Sequence, residues 1–157
     1  MKVEAVINRK VFVVHGHQHG ARETVARFLE KLTLEPVILD EEANRGRTVI
    51  EKFLEHSDVA FAIVLLIGDD VGGVKGPDPS GLRLRARQNV VFELGYFVGK
   101  LGRDRVCALY EPEVEMPSDF AGVGYVKFDR EGTWRVLLAK ELNAAGIKVN
   151  VSAALLG

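Results

Sequence analysis

The segment Val90-Val91-Phe92-Glu93-Leu94-Gly95-Tyr96-Phe97-Val98 carries one charged side chain, Glu93. An ionised carboxylate is costly to remove from water, so a chain keeps Glu out of apolar surroundings unless a partner neutralises it or a pocket uses it. On a helix, Asn89 lies one turn before Glu93 and Phe97 one turn after it, with Ala86 below, so an amide, an acid and an aromatic ring share a face. Two readings follow. Glu93 can sit on the wet stripe of an amphipathic helix, paired with Arg or Lys. Alternatively it can face a ligand, with Asn89 holding the carboxylate or a ribose hydroxyl. Tyr96 and Phe97 are read first as core residues.

Three other clusters carry chemistry. His15-Gly16-His17-Gln18-His19-Gly20 follows a strand and precedes a helix, so its amides and the helix N-terminus are placed to receive a phosphate. Its spacing matches neither the Rossmann nor the P-loop pattern. Its histidines have no nearby carboxylate or thiol to complete a metal site, so no metal is expected. Arg83, Arg85 and Arg87 precede the Glu93 helix, and Arg45 and Arg47 follow the second strand. Guanidinium groups are bidentate phosphate donors, so both loops are candidates for anion binding. Asp69-Asp70 ends the third strand, as a phospho-acceptor acid would. The first strand, however, ends in His15-Gly16 and lacks the acids that hold magnesium in a receiver domain, so Asp70 is read as loop-ordering or ligand-contacting.

These residues need a scaffold. Short apolar runs at residues 11–14, 36–39, 60–66, 106–109 and 123–128 read as strands. They alternate with helical periodicity at 20–32, from Thr48 as cap through Ile50, Phe53 and Leu54, from Arg85 to about Gly102, and through Trp134, Leu137, Leu138 and Leu142. Alternation of this kind implies an α/β three-layer sandwich, flavodoxin-like or TIR-like, with a parallel sheet of roughly five strands. Residues 68–80, rich in Gly, Pro and Asp, read as a long loop. With 157 residues the chain fits one domain, taken as 1–150, and 151–157 reads as a tail or the start of a linker to something longer.

Composition narrows the function classes. A formal charge of -1 offers no bulk attraction to nucleic acid or to an anionic membrane, so direct nucleic-acid binding is not expected. The apolar run at 59–67 is too short to cross a bilayer, and no signal peptide opens the chain, so a cytoplasmic location is expected. Cys107, the only cysteine, sits among apolar strand residues and reads as a buried thiol.

Val11-Phe12-Val13-Val14-His15-Gly16-His17, Gly46-Arg47-Thr48-Val49-Ile50-Glu51-Lys52-Phe53, Asp69-Asp70-Val71-Gly72 and above all Arg85-Ala86-Arg87-Gln88-Asn89-Val90-Val91-Phe92-Glu93-Leu94-Gly95 resemble the bacterial TIR-like domains of anti-phage defence, including those fused to cyclic-dinucleotide sensors. The resemblance runs from about Lys10 to Asn150. It implies NAD+ glycohydrolase chemistry, with NAD+ as substrate, no separate cofactor and Glu93 as the essential acid. It also implies ligand contacts at His15, Gly16, Asp70, Arg87 and Asn89, beside the anion-binding candidates Arg45 and Arg47. Eukaryotic TIR domains differ from Arg87 and Asn89 ahead of the acid, which limits detailed transfer from them. The resemblance further implies self-association through loop 41–47, which completes a neighbour's pocket, and a fused or associated sensor domain. Two other classes stay open: a non-catalytic nucleotide-sensing or TIR–TIR adaptor module, and a nucleoside deoxyribosyltransferase-like enzyme that uses Glu on a similar scaffold.

Overall fold

The computed structural model describes residues 7–39, 49–117 and 122–156. In chain order the elements are β1 (Lys10–Val14), α1 (His19–Lys31), β2 (Glu35–Val37), α2 (Val49–Glu55), β3 (Phe61–Leu66), β4 (Asp70–Gly72), β5 (Arg83–Arg85), α3 (Gln88–Leu101), β6 (Val106–Tyr110), β7 (Gly124–Lys127), α4 (Trp134–Ala144) and α5 (Val151–Leu156). Five strands form one parallel sheet in the order β2-β1-β3-β6-β7. This is the expected flavodoxin-like, TIR-like architecture.

Strand alternation divides the interior into two cores. Val11, Val13, Phe61, Ile63, Leu65, Cys107 and Leu109 pack with α1 and α4 residues such as Phe28, Leu29, Trp134 and Leu138. Their alternates Phe12, Val14, Ala62, Val64, Leu66, Val106 and Ala108 pack with Phe53 of α2 and with Val90, Leu94 and Phe97 of α3. Because side chains of a strand point alternately to opposite faces, a sheet covered on both sides requires apolar residues at both parities, and β3 is buried along its whole length. Phe97 is fully buried, with its ring 4.9 Å from Phe12 and 5.4 Å from Phe53. Cys107 lies inside the first core, and burial, followed by the charge of Glu141, pushes its thiol far above the ordinary range, so it stays protonated.

Gly102 ends α3 with φ 87°, as a C-terminal glycine should, but its ψ of 156° turns the chain into an extended exit and not a full left-handed cap. Two segments differ from expectation. The long loop contains an antiparallel hairpin, β4 with β5, in which Asp70 pairs with Arg85 and Gly72 with Arg83. Each strand is three residues long, and Val71 and Leu84 remain 62% and 37% exposed, so no buried face imposes a pattern legible in sequence. The stretch read as a tail forms the helix α5, which lies against α4 and α1. Among the described residues no helix is long and apolar enough to cross a membrane.

Two predictions test these interactions. Phe97→Ala removes a ring from a packed aromatic cluster and should destabilise the fold by about 3–5 kcal/mol in chemical denaturation. Asp129 accepts the amides of Trp134 and Thr133 at 2.9 and 3.0 Å. Desolvation alone would raise its pKa, but these bonds together outweigh it and the carboxyl is held below its ordinary value. A depressed pKa gives stability that is present above the unfolded-state value and is lost as pH falls through the folded one. Asp129→Ala should therefore lower Tm at neutral pH, and the difference from wild type should vanish in acid below the carboxylate range.

Candidate active site

The chain leaves β1 for β2 on one side and then crosses to β3 on the other, so the topological switch lies between β1 and β3. In open parallel sheets ligands bind beyond the carboxyl ends of the strands at such a switch. Here those ends are His15-Gly16-His17 after β1 and Gly68-Asp69 after β3.

A carboxylate joins the two ends. Asp69 Oδ2 accepts the His17 amide at 3.1 Å and fills the space that a side chain on residue 16 would need, since a Cβ built on Gly16 would lie 2.0 Å from that oxygen. The stem of Arg87 covers the same point, its Cδ 3.6 Å from the built Cβ. Gly16 is buried and requires a bare backbone because of this close approach. The turn carrying Asp69 is held from behind by Glu111 at the end of β6, whose Oε1 accepts the Gly68 amide at 2.9 Å. Asp69's own amide closes the turn on the Ile67 carbonyl at 2.8 Å.

This arrangement changes the reading of the first turn. The His17 amide, expected to be available to a phosphate, is already satisfied by an internal anion. His15 braces the sheet edge: its Nδ1 lies 2.8 Å from the Gly16 carbonyl and its Nε2 3.0 Å from that of Leu39, beyond β2. A neutral imidazole can donate to only one of these oxygens, while an imidazolium donates to both. Both ring nitrogens face backbone carbonyls, so His15 turns its polar edges inward to the turn and the end of β2.

α3 begins at this edge. Arg87 stands at its N-cap, and neither α3 nor α1 has a side-chain cap or an acidic residue in its own first turn, so the nearby acid at this edge is Asp69, brought there by the end of β3. Glu93 lies six residues after Arg87, about 9 Å further along the helix, and is half-buried. The shared face runs from wet to dry: Asn89 is exposed, Glu93 is intermediate and Phe97 is in the core. Phe97 thus packs the sheet and does not line a polar cleft. Tyr96 packs on Phe53 with ring centroids 4.8 Å apart, and its hydroxyl meets Ser57 Oγ at 3.1 Å.

The other expected site residues disperse. Asp70 opens β4 and is exposed, while its neighbour Asp69 makes the contact with the first turn. The arginine cluster divides, because Arg85 turns away to pair with Glu115 at 2.9 Å, whereas Arg87 covers Gly16. Arg45 and Arg47, with loop 41–47, lie outside the described residues. Among the described residues no group of three His, Cys, Asp or Glu side chains is arranged to hold a metal ion. Asp69 and Glu111 were missed in sequence. The tandem Asp marked the place, but the tight turn at Gly68 breaks the strand alternation that would have chosen between its members.

A family model described as CAP12/Pycsar effector protein, TIR domain, matches residues 10–130. The chain belongs to this TIR-domain family. The TIR domain is 48% identical over 150 residues to the uncharacterized protein YuaY of Escherichia coli (strain K12), a match covering 95% of this chain and 50% of that protein. It is 38% identical over 131 residues to protein tirC of Dictyostelium discoideum, covering 78% of this chain and 65% of tirC. It is 44% identical over 92 residues to the Pycsar effector protein BcPycTIR of Burkholderia cepacia, covering 55% of this chain and 27% of the effector. The TIR domain therefore spans about half of YuaY and about a quarter of BcPycTIR.

The Gly16–Asp69 contact is directly testable. Gly16→Ala should cost about 1–3 kcal/mol, because the carboxylate must be displaced. In an Asp69→Ala background the same substitution should cost measurably less, and a double-mutant cycle by denaturant unfolding checks that coupling.

Proposed function

We propose that this TIR domain cleaves the nicotinamide–ribose bond of NAD+, with Glu93 as the catalytic acid residue in its ionised form. The observation that carries the reading is a half-buried carboxylate on α3, the helix that starts at the β1–β3 switch, in a chain of this family. The C–N bond breaks heterolytically and its electron pair leaves with nicotinamide, which departs as a neutral base. Positive charge develops on the ribose, and a carboxylate held beside it in a site of reduced polarity lowers the energy of that oxocarbenium-like state. Water then adds to give ADP-ribose and a proton, or an adenine nitrogen adds to give a cyclic isomer.

Arg87, Arg45 and Arg47 are the proposed pyrophosphate ligands, with Asn89 flanking the acid. His15 and Gly16 shape the floor, and Asp70 belongs to the rim. Loop 41–47 is the proposed self-association element that completes a neighbour's pocket. Relatives named Pycsar effector protein and CD-NTase-associated protein 12 support a setting in anti-phage defence, with a cyclic-nucleotide sensor as fused or associated partner.

Nicotinamide release from NAD+ should be slow for dilute domain and should rise per molecule when the domain is crowded on a support. Glu93→Gln should lower the crowded rate on the order of 10²–10³-fold while leaving Tm near wild type. Release that Glu93→Gln leaves untouched would assign the chemistry to another residue and overturn the role of Glu93, whereas no release at any density would favour the adaptor module. Cleavage of deoxynucleosides with NAD+ intact would indicate the deoxyribosyltransferase class.

A further inference from the structure

Asp69 has a property that its role in the turn does not use. Its Oδ2 is pinned by the His17 amide at 3.1 Å, and its backbone is held through the Ile67 carbonyl and, one residue earlier, by Glu111. Among the described residues its second oxygen, Oδ1, makes no hydrogen bond or ion pair. The residue is half-buried at the mouth of the β1–β3 switch, beside the stem of Arg87. A fixed carboxylate with one committed oxygen and one open oxygen is an acceptor whose position is set before ligand arrives, so little conformational freedom is lost when a donor binds to it.

The charge of this group selects what it can face. A phosphate brought next to a carboxylate is repelled, and the amide that would have received it is already occupied. A neutral donor is favoured instead, and sugar hydroxyls are the donors that acids at the carboxyl ends of nucleotide-binding strands accept. We infer that Asp69 is a substrate-binding residue whose Oδ1 accepts a ribose hydroxyl of the dinucleotide, so that the first turn seats a sugar and the pyrophosphate lies on the side of Arg87. This rests on the NAD+-cleaving reading of the same site and adds to it a second acid with a different task.

Asparagine separates the two jobs of Asp69. Its carbonyl oxygen can keep the His17 amide, but its other terminus becomes a donor and no longer accepts a hydroxyl. In the crowded domain, Asp69→Asn should keep the wild-type Tm and hold kcat within about twofold, while KM for NAD+ rises about tenfold or more, as expected for one lost hydrogen bond to a charged group. Asp69→Ala should lower Tm as well, since it also releases the turn. With NAD+ analogues each lacking one ribose hydroxyl, one analogue should show equal KM for wild type and Asp69→Asn, which a purely structural role would not produce.

A wild-type KM for Asp69→Asn overturns the inference, as does a penalty that persists undiminished with every analogue. The two proposals fail differently. Nicotinamide release that Glu93→Gln abolishes and Asp69→Asn leaves at wild-type KM sinks this inference alone, whereas no release by the wild type at any density sinks the NAD+ reading and this inference with it.

Discussion

In a parallel sheet covered by helices on both faces, the interiors of the central strands have no room for a charged side chain, and Lys10, Glu35 and Lys127 lie at strand ends. Val11 to Val14, Phe61 to Leu66 and Val106 to Leu109 are buried at every position, one parity facing α1 and α4 and the other facing α2 and α3. Desolvating an ionised group inside either core would cost several kcal/mol without a partner. Polar chemistry is therefore displaced to the strand ends, and the strand order reverses between β1 and β3 at one of them, the place where ligands of such sheets bind. Gly16, Asp69 and Arg87 meet there, with Glu111 behind the turn, because the sheet leaves little other place for them.

Within that edge the first turn is organised by an internal anion. Asp69 binds the His17 amide and occupies the volume that Gly16 lacks, and His15 spans from its own turn to the end of β2. The result is a rigid floor whose hydrogen-bonding capacity is partly spent before any ligand arrives. α3 supplies the opposite character: its first turn holds no acid of its own, and its acid comes later, where the helix passes from solvent-facing to core-facing. Anion-favouring and cation-favouring features are thus separated along one helix, which suits a ligand with phosphates at one part and a developing positive charge at another.

Long periodic elements were legible because burial repeats at the period of the backbone. The strands at 11–14 and 60–66, the helix with Val25, Phe28, Leu29 and Leu32, and the assignment of Cys107 to the interior all follow from that repeat. The β4–β5 hairpin was not legible, since strands of three residues with exposed side chains have no buried face to repeat. Nor could composition separate Arg85 from Arg87, because what divides them is the position of Glu115, thirty residues away in the chain.

The amino-acid sequence by itself determined the layered α/β architecture, the family and the isolation of Glu93 in an apolar helix, because these depend on local period and on residue type. Only the tertiary structure decided that Asp69 and not Asp70 meets the first turn, and that His15 reaches across to the Leu39 carbonyl beyond β2. Each of those is a contact between segments far apart in the chain, set to within an ångström by how β1, β3 and α3 pack, and spacing along a chain carries no information at that resolution.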